Sequence, residues 1–435
     1  MQTQALAPEQ RICLVTTTSV AHNPRLVKEA DSLAAAGYGV RVVAFQSLGW
    51  VAERDQRLAR GRAWRHEPVS IVPTTTQARG HFWRSRLRLH LYQRVLSRIT
   101  LGGGIAERAF VRAYPELVAA ARREPADLFI AHTPQALPVA AAAAHSFGAR
   151  LGFDAEDLHT GELPPAARRT HQQRLVAYVE SKYILRCAYV SAPSDGVADE
   201  LTRLYGIPRP VVIHNVFPWA ERAALDGETR DRRGTALSLY WYSQVISLRR
   251  GLADAIRAAG LLVQPVQLHL RGELASDERA AILALAGEAG MAGRVYLHPP
   301  APPEELLAHA AEHDVGLAIE PGLAHSLNNA LTVSNKLFLY LLAGLAVAAS
   351  DTPGQRAVLS QIPAAGALYS PGDHQALAAI LRRWQTDGAA LATARQAALA
   401  AARARWCWEH EQGRLLDQVE ALLGTACETG RDRRG

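Results

Sequence analysis

Arg11–Phe45 reads RICLVTTTSVAHNPRLVKEADSLAAAGYGVRVVAF. Its opening run, RICLVTTTS (Arg11–Ser19), is rich in β-forming residues and ends in small polar ones. Pro24–Ala36 then carries a helical pattern closed by Gly37, with Asn23 placed to cap it and Pro24 suited to its first turn. Val40–Phe45 returns to a β-rich run. Strand, helix and strand in so short a space make a βαβ unit, and such units imply a parallel sheet.

The alternation continues outward from this unit. Asp127–Ala131, Arg150–Asp154, Tyr189–Ala192 and Val211–Ile213 read as strands, with helices ending near His145 and spanning Gly196–Leu204 between them. Residues 218–235 (PWAERAALDGETRDRRGT) carry no strand pattern and read as a linker. Beyond it the pattern restarts with Leu237–Tyr242, followed by Val266–Leu270, Arg294–His298, Val315–Ile319 and Leu345–Ala349. Ala389–Thr425 is helical by composition. The prediction is two doubly wound α/β domains in series, which bind ligands at the carboxyl ends of their strands.

Length agrees, since 435 residues exceed what one hydrophobic core supports. With 49% hydrophobic and 20% charged residues the chain is neither disordered nor fibrous. Cys13, Cys187, Cys407 and Cys427 show no metal-finger or CxxC spacing and read as reduced thiols of a cytosolic protein. The start, MQTQALAPEQR, lacks the pattern of a signal peptide. The longest apolar run, Leu337–Ala349, is too short to span a bilayer, so no membrane anchor is expected.

The net charge of +7 has a local source. Arg79, Arg84, Arg86, Arg88, Arg94 and Arg98 fall in a segment without an acid. Trp83, Leu87, Leu91, Val95 and Ile99 recur there every four residues, with Tyr92 and Leu96 beside them. This is a basic amphipathic helix, suited to the surface of an anionic membrane or to a plain solvated face. No nucleic-acid motif accompanies it.

The chemistry concentrates in Ser326–Gly354, SLNNALTVSNKLFLYLLAGLAVAASDTPG. Ser334 and Asn335 precede an apolar helix whose free N–H groups and dipole attract an anion. Lys336 adds a full charge in the first turn, where it opposes the dipole unless an anion such as a diphosphate is bound. Asn335-Lys336-Leu-Phe-Leu-Tyr340, Ala343-Gly344, Ser350-Asp351 and Gly354 together resemble the donor signature of glycosyltransferase family 4. Arg249-Arg250-Gly251 after the strand Leu237–Tyr242, Leu270-Arg-Gly272, Asp314-Val-Gly316, Lys28-Glu29-Ala30 and Ile213-His-Asn215 extend the resemblance over about residues 10–425.

The resemblance implies the GT-B architecture, two Rossmann-like domains facing a cleft. It places an acceptor domain at 10–217, a donor domain at 236–404 and a C-terminal helix, 405–428, packing back on the first domain. It also implies that Arg250, with Lys336, Asn335 and Ser334, holds the donor diphosphate, that transfer retains configuration, and that neither cofactor nor metal is needed. The family's two glutamates on donor hydroxyls are replaced by Leu331 and Leu339. Those contacts are therefore expected from Ser326, Asn328, Asn329, Thr332 and Glu320.

In the first half, His132 ends a strand, Asp154 ends the next, and Glu156 and His159 follow in its loop. These four are the candidates to take the acceptor's proton. Asp154, Glu156 and Asp157 also resemble a metal-binding acidic triplet, a reading set aside because such enzymes have one domain rather than two. Arg25 is a candidate phosphate or acceptor contact.

The expected protein is a cytosolic glycosyltransferase, peripheral at the inner membrane face. It takes a nucleotide-sugar donor, with a glycan or lipid-linked acceptor and no nucleic acid. The alternative is a weakened homologue that binds nucleotide sugars as a partner subunit. A nucleotide-sugar epimerase of the same architecture is argued against by the Ser334-Asn335-Lys336 helix start and by Arg250-Gly251.

Overall fold

The computed structural model describes residues 10–73, 76–96, 104–164, 170–225, 236–323 and 325–424. The first sheet holds β1 (Arg11–Thr16), β2 (Gly39–Gln46), β3 (Arg65–Ser70), β4 (Leu128–His132), β5 (Arg150–Asp154), β6 (Tyr189–Ala192) and β7 (Val211–Val212). Its order is β3-β2-β1-β4-β5-β6-β7. The second holds β8 (Leu237–Val245), β9 (Val266–Glu273), β10 (Val295–His298), β11 (Val315–Ala318), β12 (Ala346–Ser350) and β13 (Gly366–Tyr369), in the order β10-β9-β8-β11-β12-β13. All the recorded pairings are parallel.

Each sheet reverses direction once, between β1 and β4 in the first and between β8 and β11 in the second. Loops at such a switch diverge and leave a crevice at the carboxyl edge. Every site residue discussed below lies at or beyond one of those two edges. The central strands are buried on both faces, which explains their continuous apolar runs.

Most expected elements stand where the pattern put them. The helix Pro24–Ala35 is capped by the Asn23 side chain, which accepts the Leu26 N–H. The run Leu337–Ala349 divides into the end of helix Asn335–Ala343 and most of β12. That helix lies directly on β11, because a Cβ at Gly316 would come within 2.1 Å of the Tyr340 ring. Cys13, Cys187 and Cys407 are free thiols; Cys427 lies outside the described residues. Among the described residues no helix is long and apolar enough to cross a membrane.

The final helical stretch is interrupted. It breaks into Gly388–Ala404 and Trp408–Leu423. At the break Trp406 turns inward, 2% exposed, and its ring meets those of His214 (centroids 5.0 Å apart) and Phe338 (5.6 Å). Trp408–Leu423 then binds the first domain. Trp408 Nε1 donates to Ser32 Oγ (2.8 Å), Arg414 to the Val212 carbonyl (2.9 Å), and Glu411 accepts the His214 N–H (2.8 Å). The linker begins as a 3-10 turn, Trp219–Ala224; 226–235 fall outside the described residues.

Candidate active site

At the carboxyl edge of the first sheet five ionisable side chains share one enclosure. Arg25, Glu29, His132 and Asp154 are at most 2% exposed, and Glu156 is half-buried at their outer side. Arg25 Nε donates to Asp154 Oδ2 (2.6 Å) and Nη1 to the Ile213 carbonyl (2.6 Å). Glu29, one turn along the same helix, lies 3.5 Å from Arg25 and 3.4 Å from His132 Nε2. His132 Nδ1 meets Glu156 Oε1 at 2.9 Å, and Asn23 Nδ2 donates to that same oxygen at 2.6 Å. Both bonds fall on Oε1, and the side chain keeps 18% of its surface exposed.

The loops carrying this group are held in an uncommon conformation. Among the described residues, the non-glycine positions with positive φ are Thr133 (72°) and Glu156 (59°). One follows His132, and the other is the outward carboxylate itself. Such conformations cost of order 1 kcal/mol or more and persist where surrounding bonds impose them. Here the Thr133 N–H is held by the Asp154 carbonyl and the Glu156 N–H by Asp154 Oδ1.

Charge in the enclosure is set by competition. Burial works to depress His132, but the Glu29 charge and the contacts with Glu156, Glu29 and Asp154 hold it up at about 10. Burial and the Asp154 charge push Glu29 up to about 8. Burial would raise Asp154, yet the Arg25 guanidinium keeps it well below the usual carboxylate range. The cations Arg25 and His132 are thus set against the carboxyl groups of Glu29 and Asp154, and opposite charges offset one another's burial. That is the arrangement a desolvated cluster favours.

The expected first-half site is thereby redistributed. Asp154 is wholly enclosed and committed to Arg25, so it orients rather than accepts a proton. Arg25 is a buried strut, not a contact for phosphate or acceptor. His159 bonds Glu162 Oε1 (2.6 Å) and the Ala155 carbonyl (3.0 Å), beside Glu156 rather than behind it. The acidic triplet points three ways: Asp154 to Arg25, Glu156 to His132, Asp157 to the Asn328 amide (3.0 Å). Glu29, His132 and Asp154 do bring one ligand atom each within 4.8 Å of one another, but Arg25 is bonded into the same group.

At the carboxyl edge of the second sheet, Lys336 is buried rather than solvated. Its Nζ donates to Glu320 Oε1 (2.6 Å) and Ser334 Oγ (3.2 Å) and lies 5.5 Å from the Trp241 ring centre. Ser334 turns its hydroxyl to Glu320 Oε1 (2.9 Å), so the helix start has no side-chain cap. Asn335 is exposed beside it. Burial works to raise Glu320, but the Lys336 charge and bonds, with the Arg250 charge, hold it below the usual value. Arg250 donates to Ser243 Oγ from the loop after β8. Gly251 makes that loop possible: its φ is 80°, and a Cβ there would come within 2.5 Å of Ile319. Glu278 anchors the loop from behind through Ser247 Oγ (2.7 Å) and the Leu248 N–H (3.0 Å).

The two edges meet through Ser326–Thr332. Asn328 Oδ1 accepts the Leu158 N–H (2.7 Å), Ser326 Oγ donates to the Gly161 carbonyl (3.1 Å), and Ser194 Oγ donates to the Leu331 carbonyl (2.7 Å). Ser326 and Asn328, expected on the donor, therefore join the domains, and Thr332 donates to the Asn328 carbonyl (2.7 Å). Asn329 and Glu320 remain beside the cleft.

Residues 26–217 match the family model Glycosyltransferase Family 4. Sucrose-phosphate synthase from Thermosynechococcus elongatus superposes with a TM-score of 0.64 at 18% identity, covering 95% of this chain and 100% of that one. HepE from Anabaena in complex with UDP-glucose gives 0.63 at 17% identity, covering 95% and 100%. WaaG, a glycosyltransferase involved in lipopolysaccharide biosynthesis, gives 0.54 at 14% identity, covering 95% and 99%. The chain has the GT-B fold, and its residues 26–217 are similar to glycosyltransferase family 4. At these identities the structural likeness shows the fold alone, and no curated protein matches the sequence.

The leucines at the two positions where the family has glutamates are not cleft groups. Leu339 is 1% exposed in the core, and Leu331 packs against the first domain beside Gly196. Sequence reading missed Glu29 as a site residue, although its spacing from Arg25 on an otherwise apolar helix face signals a buried pair.

The enclosure gives the protein a pH signature. His132 holds its proton more tightly folded than unfolded, so its stabilisation is full below about pH 6.5 and is lost as pH rises through about 10. Glu29 acts in the same direction between about 4.5 and 8. Lys28, which burial and the Arg25 charge lower to about 7, acts oppositely between there and 10.5. The sum is mixed, but one substitution isolates the histidine. By calorimetry, His132→Gln should lower the melting temperature more at pH 7 than at pH 10. An equal deficit at both would show that His132 does not carry the charge.

Proposed function

We propose that this chain transfers a sugar from a nucleoside-diphosphate sugar to an acceptor hydroxyl, without metal and with retention at the anomeric carbon. The observation that carries it is the pairing of two poised ends: the Arg250, Ser334 and Lys336 group, and the outward Glu156 carboxylate backed by His132. Arg250, Lys336 and the Asn335 helix start supply the positive field that a leaving diphosphate needs. On binding, the diphosphate takes over from Glu320 as partner of Lys336, and Glu320 and Asn329 turn to donor hydroxyls. Glu156 Oε2 accepts the hydrogen of the acceptor hydroxyl. HepE was captured with UDP-glucose, which supports a UDP-sugar as the first donor to try.

The acceptor is proposed to be a glycan or lipid-linked glycan at an anionic membrane surface. Helix Thr76–Leu96 turns Ser85 inward and leaves Trp83, Leu87 and Leu91 exposed by 62, 72 and 58%. Arg79, Arg84, Arg86 and Arg94 are exposed on the same helix. The side chains of Val95 and Leu96, with Arg98 and Ile99, lie outside the described residues. Vesicles containing phosphatidylglycerol should retain the protein at low salt and release it at high salt, and a Leu87→Glu, Leu91→Glu variant should not bind. Equal retention of wild type and variant would remove the membrane from the account.

The test of transfer is release of nucleoside diphosphate from UDP-, GDP- and ADP-sugars, with and without crude lipid and glycan acceptors. A second reading rests on Leu331 and Leu339: a homologue that binds the donor without turning it over. Binding of a nucleotide sugar with no release under any of these conditions would favour it.

A further inference from the structure

Thr17, Thr133, Gln135, His159 and Glu162, with Arg112, line a cavity of about 420 Å³ in the first domain. Its mouth lies over the carboxyl ends of β1, β4 and β5, so it opens beside the loops that carry His132 and Glu156. His159 and Glu162 pair with each other, and among the described residues Arg112 is the cation of the lining without a carboxylate partner. Its guanidinium stacks on the Phe82 ring, 4.5 Å from the centroid. A ring face leaves N–H donors unmet, and Nε and Nη2 are both buried with no hydrogen-bond partner. Burial and the nearby Arg86 charge both act to depress its protonation. Two enclosed N–H groups of a half-buried guanidinium with a second cation nearby are costly without an anion to meet them.

We infer that this cavity receives the acceptor and that Arg112 forks a phosphate group on it. The inference rests on the proposed reading that the acceptor enters through the first domain. A phosphate oxygen pair matches the planar donors of a guanidinium, and the hydroxyl and amide groups of Thr17, Thr133 and Gln135 supply further donors. Phe82 belongs to the basic helix with the exposed apolar stripe, so the cavity and the proposed membrane face are contiguous through one side chain. The acceptor class is therefore a phosphorylated sugar or a lipid-linked sugar phosphate.

The test titrates the full chain, with and without UDP, with glucose 6-phosphate, glucose and glucuronate. In parallel the chain is sedimented with phosphatidylcholine vesicles with or without polyprenyl phosphate. Glucose 6-phosphate or the polyprenyl phosphate vesicles should bind where glucose and plain vesicles do not. Arg112→Gln should weaken that binding on the order of tenfold to a hundredfold, and Arg112→Lys, which keeps the charge, by less. Response in the soluble arm marks a sugar phosphate, and in the vesicle arm a lipid phosphate. Wild-type binding by Arg112→Gln, binding of neither probe, or equal binding of glucuronate would overturn the inference. Failure of the donor reading is separate, because UDP affinity should depend on Arg250 and be indifferent to Arg112.

Discussion

Glu156→Gln should lower sugar transfer by about 10²–10⁴-fold while UDP binding stays unchanged. The substitution keeps the size of the side chain, and its carbonyl oxygen can still accept from Asn23 and His132, the two bonds now borne by Oε1. What disappears is the negative charge. A steady-state assay read beside UDP calorimetry separates the two effects: turnover falls and the donor dissociation constant does not move. Loss of less than about threefold would remove Glu156 from the proton path. Asp154→Asn is the contrasting case. It breaks the buried Arg25 pair, so it should act chiefly through stability, on the order of 3–5 kcal/mol, and this is read by thermal or urea unfolding.

The second large effect is expected at Lys336. Lys336→Met removes the cation from a buried pair and leaves Glu320 with the Ser334 hydroxyl and the more distant Arg250 charge. Breaking such a pair from one side costs about 3–5 kcal/mol. The double variant Lys336→Met, Glu320→Gln removes both charges and should recover most of that stability. Donor binding should not recover, because the positive group that meets the diphosphate is still gone. Recovery of both in the double variant would show that Lys336 acts on the fold alone. The pair also explains how the chain tolerates a lysine in the first turn of a helix: Glu320 neutralises it.

What could be read in advance follows the physics of each segment. Strands buried on both faces, such as Leu128–His132 and Ala346–Ser350, announce themselves as short apolar runs, and the alternation with helices fixed the parallel topology. Arg65–Ser70 was not legible, because an edge strand open on one side admits Pro68 and Glu67. Gly366–Tyr369 is a short edge strand of the same kind. The break before Trp408 has no Gly or Pro to mark it; burial of Trp406 against His214 and Phe338 makes it, and that is a tertiary cause.

The proposed diphosphate side of the site rests on features local in sequence, the Ser334-Asn335-Lys336 helix start and the Arg250-Gly251 turn. The first-half side was legible only as a set of candidates. Asp154 and Glu156 are two residues apart, yet one points to Arg25 and the other to the cleft, and the left-handed backbone at Glu156 decides which. Ser326 and Asn328 were legible as polar groups beside the donor helix. That they bond Gly161 and Leu158 depends on how the domains meet, which no local pattern carries.

The most direct test is calorimetric titration of UDP into the wild-type chain and into Arg250→Ala. Arg250 is exposed and its loop is held independently by Glu278 and Gly251, so this variant should fold normally. UDP should bind the wild type, and Arg250→Ala should weaken that binding about tenfold or more. Equal affinity in both proteins, or no binding to the wild type, would contradict the proposed diphosphate site.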